Sequence, residues 1–229
     1  MKNSNLIAKA NNLTKIYNEG QDNEVIAVNN VSFEITEGEI ITVMGPSGSG
    51  KTTLLNMISG IDEASSGEIY IAGENLVEMD DDSKTKYRAK NMGFIFQTFN
   101  LIPVLSAVEN TEMPLLLNGI KKNEARRIAS EMLERVGLGD RLHHKPNELS
   151  GGQRQRVTIA RAIVHKPAVI WADEPTGNLD TKTANKVFEL MLELAKEFNQ
   201  TIVVVTHDEN IADKTDRVIK MDSGELIRD

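Results

Sequence analysis

The chain contains no cysteine among its 229 residues, so it carries neither a disulfide nor a thiolate-bound metal. That absence fits a reducing compartment such as the cytosol. Aromatic residues are scarce at 4%, and Trp171 is the one tryptophan. Long apolar runs are also missing. Ile40 to Met44 and Thr201 to Val205 are among the longest, far short of the roughly 20 residues that span a bilayer. Met1 to Asn5 leads into no signal-peptide apolar block. A membrane role is therefore expected to come through a partner. Basic charge is in deficit, with 26 Lys and Arg against 34 Asp and Glu and a formal net charge of -8. This gives no basic footprint for nucleic acid. What is present is ordinary for a globular protein, 40% hydrophobic and 26% charged. The length suits one domain, or one domain with an inserted lobe, around a real core.

Strand-like runs alternate with helix-like ones. Leu6 to Tyr17, Val25 to Val28 and Val31 to Ile35 read as short strands with polar turns between them, and Glu39 to Met44 as a compact β-rich run. A helix is expected from about Gly50 to Ser59, and strands at Gly67 to Ile71 and Gly93 to Phe96. From about Thr98 to His165 the pattern turns helical. Ala125, Ile128, Ala129, Met132, Leu133 and Val136 recur at helical spacing, as do Val157, Ala160, Ile163 and Val164. Ala168 to Asp173 returns to strand. Thr181 to Phe198 follows as a helix with Val187, Met191, Leu194 and Phe198 on one face. Thr201 to Val205 is a buried-type strand, and Arg217 to Met221 with Glu225 to Ile227 forms a closing hairpin. The alternation implies an α/β fold: a mostly parallel sheet, a small antiparallel β layer, and an inserted helical lobe. No internal repeat or low-complexity linker interrupts it.

Gly45-Pro46-Ser47-Gly48-Ser49-Gly50-Lys51-Thr52 fits G-x-x-x-x-G-K-[ST], after a predicted strand and at the start of a predicted helix. Glycines let successive N–H groups turn inward, and the helix N-terminus completes an anion cradle for β- and γ-phosphates. Lys51 adds a point charge, and the Thr52 hydroxyl is a magnesium ligand. A Gly/Ser-rich turn before a helix is the bland alternative, which the flanking strand and helix disfavour.

Val169 to Ala172 is an apolar strand ending in Asp173-Glu174. Carboxylates at the end of a buried strand reach the carboxyl edge of the sheet, where ligands bind. Asp173 is expected to hold magnesium through water, and Glu174 to act as general base on the attacking water. His207 follows another buried strand to the same edge, placed for the γ-phosphate and the water. An acidic pair or a histidine after a strand is common; the combination carries the signal. His143, His144 and His165 have no partner cluster and need no metal.

With these motifs the chain resembles the ATP-binding subunit of an ATP-binding-cassette (ABC) transporter, from about Leu6 to Ile227. The resemblance implies a P-loop NTPase core in residues 1–97 and 166–229, including the antiparallel layer, and a helical subdomain in residues 98–165. It implies that Gln97, in Phe96-Gln97-Thr98-Phe99, touches magnesium and responds to a membrane partner. Leu149-Ser150-Gly151-Gly152-Gln153 matches the signature motif, and Asn178-Leu179-Asp180 the loop that crosses the dimer interface. Tyr17 matches the aromatic that stacks on adenine, and Thr53 follows the phosphate loop. Ser150, Gly151, Gly152 and Gln153 begin a second helix suited to a phosphate. The resemblance resolves the duplication by head-to-tail dimerisation, each ATP lying between one copy's phosphate loop and the other's signature. An ordinary N-cap is the blander reading of the signature, and solvated charge that of Arg154 and Arg156. Trp171 stands where the family more often has an aliphatic residue, on the same strand face as Asp173.

Asn100-Leu101-Ile102-Pro103, Glu109-Asn110, Asp62-Glu63 and the run Ala172 to Asp180 resemble the branch of macrolide exporters, lipoprotein-releasing systems and antimicrobial-peptide resistance transporters. This implies an ATPase on the cytoplasmic face of the membrane, held there by an integral permease that docks near Gln97 to Leu117. Inter-lobe packing explains the apolar residues Phe99, Leu101, Ile102 and Val104 equally well. A nucleotide-gated regulator of a cell-wall or division complex, without cargo, remains open as the alternative. Soluble relatives in translation or repair carry two cassettes or a long coiled coil, and this chain has neither.

Overall fold

A computed structural model describes residues 6–228; the Met1 to Asn5 segment lies outside the described residues. In chain order the elements are β1 (Leu6–Tyr17), β2 (Val25–Thr36), β3 (Ile40–Met44), α1 (Lys51–Ile58), β4 (Ser66–Ile71), β5 (Glu74–Asn75), α2 (Asp81–Asn91) and β6 (Met92–Phe96). They continue with α3 (Ala107–Leu117), α4 (Lys122–Arg135), α5 (Gly151–Ile163), β7 (Val169–Asp173), α6 (Thr181–Glu197), β8 (Thr201–Thr206), α7 (Glu209–Ala212), β9 (Arg217–Asp222) and β10 (Glu225–Arg228). The chain forms two compact units: residues up to Arg88 with those from Thr201 onward, and Ala89–Gln200.

In the first unit, β2-β1-β4-β5 form an antiparallel sheet. β1 alternates inward and outward up to Asn12 and β2 from Val31 onward, and Asn12 and Asn30 both stand at positive φ. There each strand gains a residue, so the buried set runs Ala8, Ala10, Leu13 on β1 and Val28, Val31, Phe33, Ile35 on β2. The Asn12 N–H donates to Ser32 Oγ at 2.8 Å and the Asn30 N–H to Thr14 Oγ1 at 3.1 Å. These bulges explain why β2 is one strand where the sequence suggested two. Asn tolerates the left-handed conformation, and the ladder resumes beyond it. β3 runs parallel to β8 on one side and β9 on the other, with β10 closing the predicted hairpin onto β9. β8 is buried at every position, as a strand covered on both faces requires.

α2 was not evident in the sequence, because it buries no residue. Polar tethers fix it instead: Asp80 Oδ1 accepts from the Ser83 N–H at 2.7 Å, and Arg88 Nη1 donates to the Gly60 carbonyl at 2.6 Å.

In the second unit β6 and β7 pair in parallel, from Met92 opposite Val169 to Phe96 opposite Asp173. α3, α4 and α5 pack against one another, with Ala125 and Ala129 letting α4 approach closely. Ser106 caps α3 in a capping box with Glu109. Glu112, 5% exposed at its side chain, takes a bidentate pair from Arg126 on α4 at 2.6 and 2.8 Å.

Candidate functional site

The phosphate-binding loop lies wholly in the first unit. Backbone passes so close that side chains are excluded: a Cβ on Gly45 would fall 2.0 Å from the Met221 carbonyl oxygen, and one on Gly50 2.2 Å from that of Ala27. Gly50 is also the N-cap of α1, at φ 95, with no side chain bonded to the first turn and no acidic residue in it. The first-turn N–H groups and the positive end of the helix dipole thus face the loop. Lys51 Nζ lies over this curl, donating to the carbonyls of Gly45 at 2.9 Å and Pro46 at 2.7 Å. The register Met44 opposite Thr206 brings Gly45 and His207 to the same edge of adjacent parallel strands. His207 is exposed there.

Tyr17 ends β1 in the same unit, 38% exposed. Its phenol donates to Asp62 Oδ2 at 2.7 Å and accepts from the Thr53 side chain. Lys15 Nζ bonds Asp62 at 2.8 Å and also lies 4.9 Å from the Tyr17 ring centroid. The ring is therefore held in orientation. Burial, then the bond to Asp62, raises the phenol above its ordinary value. Burial pushes Asp62 up, but the bonds from Lys15 and Tyr17 outweigh it and its carboxyl falls below the usual range. The sequence pointed to Asp62 only through the resemblance and not to Asp62 and Lys15 as supports of Tyr17, because the bonds that join Lys15 and Tyr17 to Asp62 are long-range.

The second unit holds Asp173, Glu174, Gln97, the signature and Asp180. The pairing of Phe96 with Asp173 sets Gln97 beside the end of β7. A Cβ on Gly177 would meet Gln97 Nε2 at 2.8 Å, and Asn178 Nδ2 donates to the Gln97 carbonyl at 2.8 Å. Gln97 is thus wedged against the loop that follows Glu174. Glu174 stands at φ 44, a left-handed conformation that costs a non-glycine residue about 1–2 kcal/mol. Trp171 is fully buried one strand position pair from Asp173, opposite Phe94.

Ser150 caps α5 in a capping box: its Oγ accepts from the Gln153 N–H at 3.3 Å, and Gln153 Oε1 accepts from the Ser150 N–H at 2.8 Å. Gly151 and Gly152 form the first turn, which contains no acidic residue. A Cβ on Gly152 would meet Thr183 Cγ2 at 2.6 Å, so a side chain there fits only if Thr183 on α6 shifts. Asp180 is the N-cap of α6, accepting from the Thr183 N–H at 3.1 Å. The Thr183 side chain and then its backbone hold the Asp180 carboxyl below its usual value. Arg154 and Arg156 are not solvated charge. Arg154 stacks over the Phe99 ring at 5.0 Å, and Arg156 Nη1 donates to the Val136 carbonyl at 3.1 Å. In the stretch from Gln97 to Leu117, Val104 is 73% and Leu117 67% exposed.

A family model described as the ABC transporter matches residues 28–177 of this chain. The chain belongs to the ABC transporter ATP-binding family. An uncharacterised ABC transporter ATP-binding protein of Thermotoga maritima is 47% identical over 212 residues, covering 93% of this chain and 90% of that protein. The lipoprotein-releasing system ATP-binding protein LolD of Pseudomonas fluorescens is 46% identical, covering 96% and 97%. A solved dimer of the cassette MJ0796 of Methanocaldococcus jannaschii, in a post-hydrolysis state with ADP and Pi, superposes with a TM-score of 0.88 at 45% identity. That match covers 96% of this chain and 97% of the other.

The fold is accordingly the P-loop NTPase α/β fold of the ABC cassette, and the enzyme is an ATPase. Magnesium suits the donor set named for it. Thr52 in the first unit offers a hydroxyl oxygen, and Gln97 and Asp173 in the second an amide and a carboxylate oxygen, each of the hard type this ion takes. Among the described residues no helix is long and apolar enough to cross a membrane.

Proposed function

We propose that two copies of this cassette close head to tail around ATP, hydrolyse it, and thereby drive an integral membrane permease from the cytoplasmic side. One observation carries the reading. Among the described helices of eight residues or more, only α1, capped by Gly50, and α5, opened by Gly151 and Gly152, carry glycine at their start with no acidic residue at the cap or in the first turn. A chain that serves its own phosphates with α1 and Lys51 has a second such helix end to offer another copy. The dimer of the MJ0796 cassette with ADP and Pi supports this use.

In this reading Lys51 and the N–H groups of Gly45 to Thr53 hold the triphosphate, and Tyr17 stacks on adenine. Ser150, Gly151, Gly152 and Gln153 of the partner copy close over the γ-phosphate, with Asp180 at the dimer interface. Glu174 takes the proton of the attacking water, and His207 positions that water. Thr52, Gln97 and Asp173 would hold magnesium, which when bound neutralises charge on the β- and γ-phosphates. The exposed side chains between Gln97 and Leu117 are the docking surface for the permease.

Mixing two inactive variants tests the sandwich. Lys51→Ala spoils the phosphate loop and Gly151→Asp the signature. A head-to-tail pair of unlike variants keeps one intact site, so an equal mixture should recover up to about a quarter of wild-type turnover. A mixture no more active than its components would contradict the arrangement.

A further inference from the structure

Four residues, Gln97 to Asn100, join β6 to the stretch before α3. Phe99 and Asn100 both stand at positive φ, 65 and 47. Such a pair persists only where the surroundings over-determine it, and the surroundings here are α5. Arg161 Nη1 donates to the Asn100 carbonyl at 2.7 Å and Nη2 to the Phe99 carbonyl at 3.0 Å, a fork matched to two successive backbone oxygens. Arg154, seven residues earlier and so on the same helix face, covers the Phe99 ring at 5.0 Å while its Nε is buried without a hydrogen-bond partner. Burial lowers the Arg161 guanidinium to about 10, and the two partners it bonds are neutral carbonyls rather than a carboxylate. From the other side Asn178 Nδ2 holds the Gln97 carbonyl. Every contact lies within the second unit, and α5 is the helix whose first turn is the signature.

We infer that Arg161, backed by Arg154, is a positioning residue that locks the glutamine loop to the signature helix, so that Gln97 and Ser150 shift as one body. The inference rests on the sandwich reading above. It gives a displacement at the loop a direct route to the helix end that closes on a partner copy, and it assigns two basic residues outside the nucleotide contacts to that route.

The test compares Arg161→Met, Arg161→Lys and Arg154→Met. Methionine removes a half-buried charge held by carbonyls rather than by a carboxylate, so the variant should fold; lysine keeps the charge but lacks the fork. In the Glu174→Gln background, ATP-dependent dimerisation should weaken on the order of tenfold or more for both Arg161 variants, as losing two charge-assisted bonds implies. Binding of a fluorescent ATP analogue by the monomer should stay within about twofold. Rescue by Arg161→Lys, or unchanged dimerisation in Arg161→Met, would overturn the lock. Failure of Glu174→Gln itself to dimerise would instead remove the sandwich. Amide exchange then decides separately: Arg161→Met must speed exchange both at residues 97–101 and at the start of α5. Faster exchange at residues 97–101 alone would sink the inference.

Discussion

The left-handed backbone of Glu174 yields a sign reversal that can be measured. At an ordinary site, glycine is less stable than alanine by roughly 0.5–1 kcal/mol, because it loses more freedom on folding. At φ 44 the Cβ itself costs about 1–2 kcal/mol, and only glycine escapes that cost. Subtracting the entropy at mid-range, about 1.5 less about 0.75 kcal/mol, leaves Glu174→Gly more stable than Glu174→Ala by about 0.75 kcal/mol. For a chain of this length that is roughly 1.5–3 °C in melting temperature. Both variants lack the carboxylate, so turnover should fall about 10²–10⁴-fold in each, the usual loss for a positioned base. Paired thermal and urea unfolding curves provide the assay. Alanine proving more stable than glycine would refute the conformational argument, and retained turnover in either would refute the role of the carboxylate.

Other consequences follow from the same geometry. Tyr17→Ala should raise the KM for ATP by about 1–3 kcal/mol equivalent, the usual worth of a base on an aromatic ring, while Tyr17→Phe keeps most of the affinity. Equal effects of the two would show that the ring does not bear the base. Gly152→Ala should lower stability by about 1–3 kcal/mol through its clash with Thr183 Cγ2, and adding Thr183→Ser, which removes that methyl, should recover most of it. Additive losses in the double variant would place the clash elsewhere. His165 is kept neutral: its Nε2 lies 3.1 Å from the Met92 carbonyl, its Nδ1 is buried without a partner, and burial lowers its value. The unfolded chain therefore binds this proton first. Stability should fall as pH drops through the ordinary imidazole value of about 6.5, and level off below the folded one. His165→Asn should flatten that part of the urea-midpoint profile, and an unchanged slope would exclude His165 as its source.

The motif residues were readable because each sits where a strand ends or a helix begins, and sequence periodicity marks such places well. Gly45 to Thr52, Asp173 and Glu174, and Ser150 to Gln153 all lie at such junctions. The supports were not readable. Asp62 meets Tyr17 across 45 positions, and Arg161 meets Asn100 across 61. Nothing local distinguishes Arg161 from a solvated surface arginine. Nor does the sequence reveal that Asn30 carries β2 through a bulge, since a polar pair between apolar runs reads as a turn. Asn110, noticed for resemblance, proves to be buried and bonded to Ile102, Leu105 and Ser106, closing the loop that presents Val104. The helix α2 shows the limit of periodicity, because a helix without an apolar face leaves none to detect.

The central claim is that ATP closes two of these cassettes and that Glu174 then completes hydrolysis. It is tested most directly by the light-scattering mass of Glu174→Gln with and without ATP and magnesium, beside wild-type turnover. The account predicts a shift from monomer to dimer only with nucleotide, and turnover only in the wild type. A monomer at saturating ATP, with or without wild-type turnover, would contradict it.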